Sequence, residues 1–207
     1  GFDSRISDSF LFGVAVFGDL VLSDVSNNTE TAGAGFMTGP YFVASIDGPL
    51  YVEGLMAVGR AYNRISAPSE ADTRYESDRI LMTARLSGDW FYDRWSFRPS
   101  TRITSYAEKQ ESFADSAGSI VPENTSVLGQ LRFGPELGYE LRLEDSSARP
   151  FVSVEGVWSF RQTDQVVDGA AVAASEDLTG GVAFGLDGSL GRTSFRAGGR
   201  VDGIGDQ

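Results

Sequence analysis

Hydrophobic and polar residues alternate along most of this chain. Between Val127 and Leu143, the residues Val127, Leu131, Phe133, Pro135, Leu137, Tyr139, Leu141 and Leu143 occupy odd positions, with Gly129 the one gap. Gln130, Arg132, Gly134, Glu136, Gly138, Glu140 and Arg142 lie between them. Successive side chains of a strand point to opposite faces, so the segment predicts a ribbon with one apolar and one charged face. At about 17 residues it is roughly three times the usual soluble strand length. It also exceeds the ~9–11 residues that a tilted strand needs to cross a bilayer.

The same period recurs in nine segments. Ser9–Ser23 sets Phe10, Phe12, Val14, Val16, Leu20 and Leu22 against Gly13 and Ala15; Ala34–Ile46 follows less regularly. Leu50–Arg64 sets Leu50, Val52, Met56 and Val58 against Glu53, Ala57, Gly59 and Asn63. Asp78–Phe91, Trp95–Ala107, Val127–Leu143, Arg149–Arg161, Leu178–Leu190 and Ser194–Gly203 complete the set. No helical period competes. Asp47-Gly48-Pro49, Tyr92-Asp93-Arg94, Asp145-Ser146-Ser147-Ala148 and Gly191-Arg192-Thr193 read as tight turns. The connections Asp24–Thr31, Ile65–Ser77, Glu108–Ser126 and Gln162–Asp177 read as long and polar. Short and long alternate strictly. In an up-and-down barrel this puts every short turn on one rim and every long loop on the other, the asymmetry of outer-membrane barrels. The predicted fold is therefore all-β, an antiparallel up-and-down transmembrane β-barrel with about nine strands visible.

Composition changes this picture little. The 207 residues suit one β domain, expected over residues 1–207, and no apolar run is long enough for a transmembrane helix. Mean hydropathy of -0.14 is unremarkable for a barrel, whose strands carry as many lumen-facing as lipid-facing residues. Cysteine and histidine are absent, which removes thiol chemistry, disulfides and every histidine-dependent triad. The net charge of -12 excludes nucleic acid as a partner, because phosphates demand a basic surface. Lys109 is the one lysine among 17 basic residues; the rest are arginines. Arg132, Glu136, Glu140 and Arg142 on one strand, Arg98 and Arg102 on another, and Arg79 and Arg85 on a third suggest bidentate pairing across a lumen. Trp90, Tyr92 and Trp95 flank one turn and Tyr51 follows another, as in an aromatic girdle. Trp95 and Trp158 fall on the apolar face.

Several stretches resemble the C-terminal translocator domain of autotransporters, the type V secretion family. They are Gly1-Phe2-Asp3-Ser4-Arg5-Ile6-Ser7-Asp8-Ser9-Phe10-Leu11-Phe12-Gly13-Val14-Ala15, Ser87-Gly88-Asp89-Trp90 leading to Trp95-Ser96-Phe97-Arg98-Pro99, Phe133-Gly134-Pro135-Glu136-Leu137-Gly138-Tyr139, and Arg149-Pro150-Phe151 through Gly156-Val157-Trp158. The resemblance implies a parent barrel of twelve strands around a lumen holding an N-terminal helix. It aligns the segment from Ser9 with the third strand and the one ending near Gly203 with the eleventh. On that alignment the chain is expected to be a fragment lacking the first strands and the last strand. The implied partners are outer-membrane lipid, the barrel-assembly machinery and the chain's own N-terminal passenger. The implied location is the bacterial outer membrane, with long loops extracellular and short turns periplasmic.

No catalytic, cofactor-binding or metal-binding residue is assigned, and the chain is not expected to be an enzyme. Glu53, Glu136, Glu140, Glu155 and Asp187 are expected to face the lumen, where pairing with arginines accounts for them. Asp164, Asp168, Glu176 and Asp177 form an acidic loop with no EF-hand spacing. Asn27-Asn28-Thr29 and Asn124-Thr125-Ser126 match the glycosylation sequon, a common chance pattern. The expected function is an outer-membrane translocator that anchors or exports a passenger. The alternatives are a porin-like or surface-ligand-binding barrel without passenger and, with the faces inverted, a soluble lipocalin-like barrel.

Overall fold

The computed structural model describes residues 1–25, 29–66, 72–115, 118–143, 146–163, 166–167, 170–171, 175–190 and 193–204. Among them, ten strands form the body of the fold: β1 (Phe2–Ser7), β2 (Phe10–Val25), β3 (Thr29–Asp47), β4 (Leu50–Ser66), β5 (Thr73–Gly88), β6 (Trp95–Gln110), β7 (Asn124–Tyr139), β8 (Ser146–Thr163), β9 (Ser175–Leu190) and β10 (Thr193–Ile204). Each pairs antiparallel with its chain neighbour, giving one meander in sequence order. The three-residue pieces Trp90–Tyr92 and Leu141–Leu143 prolong the ladders of β6 and β8. Within the described residues nothing pairs β1 with β10, so the wall has two free edges.

The structure adds a tenth strand to the nine expected. β1 pairs Phe2 with Val14 and Ser4 with Phe12. Its six residues are too few and too polar to show a period, and its place is set by β2 and by the Tyr41 hydroxyl, which donates to Asp3. Strands also run further than the alternation does. The expected loop 24–31 is largely ladder, with Asp24 opposite Glu30 and Val25 opposite Thr29. Likewise Ile65 faces Thr73, and Ser77 faces Gln110. Beyond the alternating stretches the hydrophobic period disappears while backbone pairing continues. The turn expected at 145–148 is shorter than read: Ser146, Ser147 and Ala148 belong to β8 and pair with Leu141–Leu143, while residues 144–145 lie outside the described residues. The rim asymmetry holds for three of the four expected long connections, since only residues 26–28 separate β2 from β3. Asp8-Ser9, Gly48-Pro49 and Asp93-Arg94 join strands directly, with Gly48 (φ 52°) and Asp93 (φ 55°) in the left-handed region that tight hairpins require.

The registers separate the two faces. One face carries cross-strand rows such as Val52–Leu86–Thr101–Phe133 and Ala84–Ile103–Leu131–Trp158–Leu178. The other carries the arginines and carboxylates. The wall curls around that second face: Arg85 of β5 and Arg196 of β10 line one cavity of about 260 Å³, although four strands intervene. The apolar rows are therefore convex. Phe133, Val154, Phe184 and Trp95 are exposed there, the inverse of a soluble barrel.

Small residues line the concave side of β3 and β4. β-Carbons added at Gly39 and Gly59 would collide with the carbonyl oxygens of Met56 and Phe36, and Ala57 and Ala61 are fully buried beside them. Gly59→Val is expected to destabilise the barrel by about 1–3 kcal/mol through overpacking. Gly18→Ala, where the nearest atom is the Gly35 carbonyl oxygen at 3.9 Å, is expected to change stability by less than about 0.5 kcal/mol. Urea midpoints of the refolded protein, read by heat-modifiable gel mobility, compare the two.

Candidate functional site

The candidate site is the concave face, and its contents follow from strand parity. Near the long-connection rim, Arg79 of β5 reaches over β4 and β3 to Asp19 of β2, with its Nη1 3.0 and 2.9 Å from the two carboxylate oxygens. The span is possible because the wall beneath is nearly bare: a β-carbon on Gly35 would strike both Arg79 and Asp19. Arg79 Nε lies 3.4 Å from Glu108, which also accepts hydrogen bonds from Ser77 Oγ and from the Tyr106 hydroxyl at 2.7 Å. Arg79 is only 11% exposed, so its charge is held by two carboxylates rather than by water.

A second cluster lies nearer the short turns. Arg149 of β8, 8% exposed, donates to Glu136 of β7, to Asp187 of β9 (3.0 Å) and to the buried Ser96 Oγ of β6 (2.8 Å). A side chain at Gly138 would fill the space that the guanidinium uses. Arg196 of β10 adds contacts to Glu136 and Asp187 at 3.4 Å and stacks 4.5 Å over the Phe151 ring. Arg98 joins Asp89 at 2.7 Å and approaches Glu136 at 3.8 Å. One guanidinium thus ties four strands together, which a planar fork with several donors can do and a lysine ammonium does less well. Further along the wall, Glu53 meets Arg85 at 3.7 Å, and Glu155 meets Arg132 at 3.5 Å and Arg200 at 2.6 Å.

Four of the five carboxylates expected in the lumen, Glu53, Glu136, Glu155 and Asp187, lie on the concave face with arginine partners. Glu140 shares their parity but stands apart from their clusters. It sits at the turn rim beyond β7, where its backbone NH donates to the Arg94 carbonyl and its carboxylate pairs with Arg142. Sequence reading missed Asp19, Asp89 and Ser96 as members of these clusters. Asp19 carries a legible signal, an acid at a polar-parity position of the most apolar strand; its partner sixty positions away does not. Among the described residues no group of three acidic side chains converges as a metal site would require. Asp164, Asp168, Asn27 and Asn28 lie outside the described residues, as does the side chain of Glu176; Asp177 is exposed.

A wall with a greasy convex face and a salt-bridged concave face fits a membrane pore, and comparison with known families decides which kind. The family model described as "Autotransporter beta-domain" matches residues 1–204. The chain belongs to the autotransporter beta-domain family. It is an outer-membrane translocator domain. Its fold is similar to the crystal structure of the beta domain of the Bordetella autotransporter BrkA, at 14% identity and a TM-score of 0.63, covering 97% of this chain and 80% of that one. It is also similar to the outer membrane transporter YddB from Escherichia coli, at 10% identity and a TM-score of 0.50, covering 97% of this chain and 32% of that one. No curated protein matches.

Within this autotransporter domain, Arg149 is expected to be the most consequential side chain of the concave face. Removing one member of a buried ion pair leaves its partners uncompensated and costs about 3–5 kcal/mol. Arg149→Met should lower the urea midpoint accordingly. Arg142→Met, whose partner Glu140 lies at the open rim, should shift it by less than about 1 kcal/mol.

Proposed function

We propose that this domain anchors and exports an N-terminal passenger. In this reading the short turns are periplasmic, the long connections stand at the cell surface, lipid surrounds the convex face and the barrel-assembly machinery inserts the strands. The observation that carries it is the limited height of the convex apolar band. On β4 the band runs from Leu50 to Val58 and then meets Arg60, which pairs with Asp78 at 2.9 Å and Glu76 at 3.0 Å on the same face. On β6 it runs from Trp95 to Ala107 and then meets Lys109, paired with Glu123 at 3.0 Å. At ~3.3 Å per residue and ~40° tilt these spans are about 23–33 Å tall, bracketing the ~25 Å apolar band of outer-membrane barrels. The lower border is aromatic: Trp90, Tyr92 and Trp95 are exposed at one turn, with Trp95 edge-on to Tyr139 at 5.0 Å.

The mechanism is physical. Paired arginines and carboxylates keep the concave face polar, so an unfolded chain can pass without crossing hydrocarbon. The ten strands act as one domain, and in the membrane the outer edges of β1 and β10 must be paired, because lipid offers nothing to a free strand edge. A porin-like barrel without passenger is the other reading; family membership favours export.

Two measurements test this. Tryptophan emission of the refolded protein should be strongly quenched by brominated detergent, since Trp95 and Trp158 stand on the convex face at 53% and 39% exposure. With bromines placed at mid-chain in lipid vesicles, Trp158 alone (Trp90 and Trp95 changed to Phe) should be quenched more than Trp95 alone. Shielded tryptophans would invert the barrel. An epitope inserted at Gly118, in the connection between β6 and β7, should be labelled on intact cells, and one at Gly48 only after the outer membrane is opened.

A further inference from the structure

One stretch of the concave wall sets three arginines side by side. Register places Arg85 of β5 directly opposite Arg102 of β6, and Arg102 directly opposite Arg132 of β7. Neighbouring strands are ~4.8 Å apart, so three guanidinium side chains root on a line about 10 Å long. Like charges directly opposite one another destabilise a sheet. Two of the three have relief: Glu53 lies 3.7 Å from Arg85, while Glu155 lies 3.5 Å from Arg132 and Gln130 accepts from its Nε at 2.6 Å. Glu155 is shared with Arg200. Arg102, in the middle, has no carboxylate partner among the described residues and stays exposed. Its neighbours along the concave parity, Arg79, Arg98, Arg149 and Arg196, each hold at least one.

Open space adjoins the row. A cavity of about 560 Å³ is lined by Arg85 and Arg102 with the single carboxylate Glu53, by Thr83 and Thr104, and by the apolar Leu55 and Leu81. On the other side, Arg85 borders the 260 Å³ cavity, where Arg98 and Arg196 are matched by Glu136 and Glu155. Cation, hydroxyls and apolar side chains together suit a carboxylate carried on a carbon chain better than a bare inorganic anion.

We propose that the Arg85–Arg102–Arg132 row binds acidic side chains of an extended polypeptide within the barrel, with Arg102 as the principal contact; this rests on the translocator reading. Same-face side chains of an extended chain are ~6.6 Å apart, a spacing that long arginine side chains on ~4.8 Å centres can meet. The chain as a whole carries a net charge of -12, which disfavours binding of free anions elsewhere on the protein.

The test is fluorescence anisotropy of labelled hexaglutamate with the refolded protein in detergent micelles at low salt, with hexaglutamine as the uncharged probe. Hexaglutamate should bind and hexaglutamine should not. Arg102→Gln should weaken binding at least about fivefold, as expected for loss of a charged hydrogen bond. Arg102→Lys should stay within about threefold of wild type, and Arg94→Gln, at the far turn, should leave binding unchanged. Absence of hexaglutamate binding, or equal binding by wild type and Arg102→Gln, overturns the proposal. Bromine quenching read on the same samples separates the two ideas: quenched tryptophans without peptide binding remove this site alone, and binding by an unquenched protein removes the membrane reading.

Discussion

Hydrocarbon offers no hydrogen bond to a peptide group, and the rest of this structure follows from that constraint. Every backbone donor and acceptor in the spanning region must be met by a neighbouring strand. An unbroken antiparallel meander does this with the shortest connections available. Once the backbone is committed to strands, side chains can only alternate, and each segment must offer one set of residues to lipid and another to the interior. The convex rows of Val, Leu, Phe and Trp and the concave array of arginines and carboxylates are two outcomes of one periodicity.

The concave array shows why arginine replaces lysine throughout the wall. Lumen-facing charges are partly removed from water, and a single-point ammonium would leave neighbouring carboxylates unmet. Arg149 meets Glu136, Asp187 and Ser96 at once, and Arg79 spans from Asp19 to Glu108. Two of these contacts, Arg149 to Ser96 and Arg79 to Asp19, cross between strands that are not backbone partners, so they hold the curvature that the ladder alone leaves free; the others brace directly paired strands. Small residues make the reach possible: Gly35 beneath Arg79 and Gly138 beneath Arg149 clear the path. The one lysine, Lys109, lies on the convex side beyond the apolar band, beside Glu123, where an exposed point charge suffices.

Local pattern disclosed much of this and stopped where its physics stopped. Alternation located nine of the ten strands and assigned Trp95, Trp158, Glu53, Glu136, Glu155 and Asp187 to the correct faces. It failed at β1, where six residues carry too little period, and beyond the apolar band, where polar pairs such as Asp24 opposite Glu30 leave no hydrophobic trace in the sequence. Glu140 keeps the concave parity, because Leu141–Leu143 continue the register of β7 against β8, but it stands at the rim, away from the arginine clusters. The register rows were invisible for a different reason. That Arg85, Arg102 and Arg132 stand side by side depends on how three separate segments slide past one another, which no single segment records.

The two-residue turns have a consequence for how such a wall is built. Among the described residues each strand pairs with its chain neighbours, so apart from the outer edges of β1 and β10 no contact in the sheet ladder waits for a distant partner, and loop-closure entropy stays small at every step. The sheet can grow hairpin by hairpin. If the tight turns stay on the side from which the chain arrives, as the proposed orientation has it, only the polar connections are carried through. The asymmetry between the rims would then give assembly a direction, with the largest share of the barrier to insertion on 111–123 and 164–174, the two longest connections.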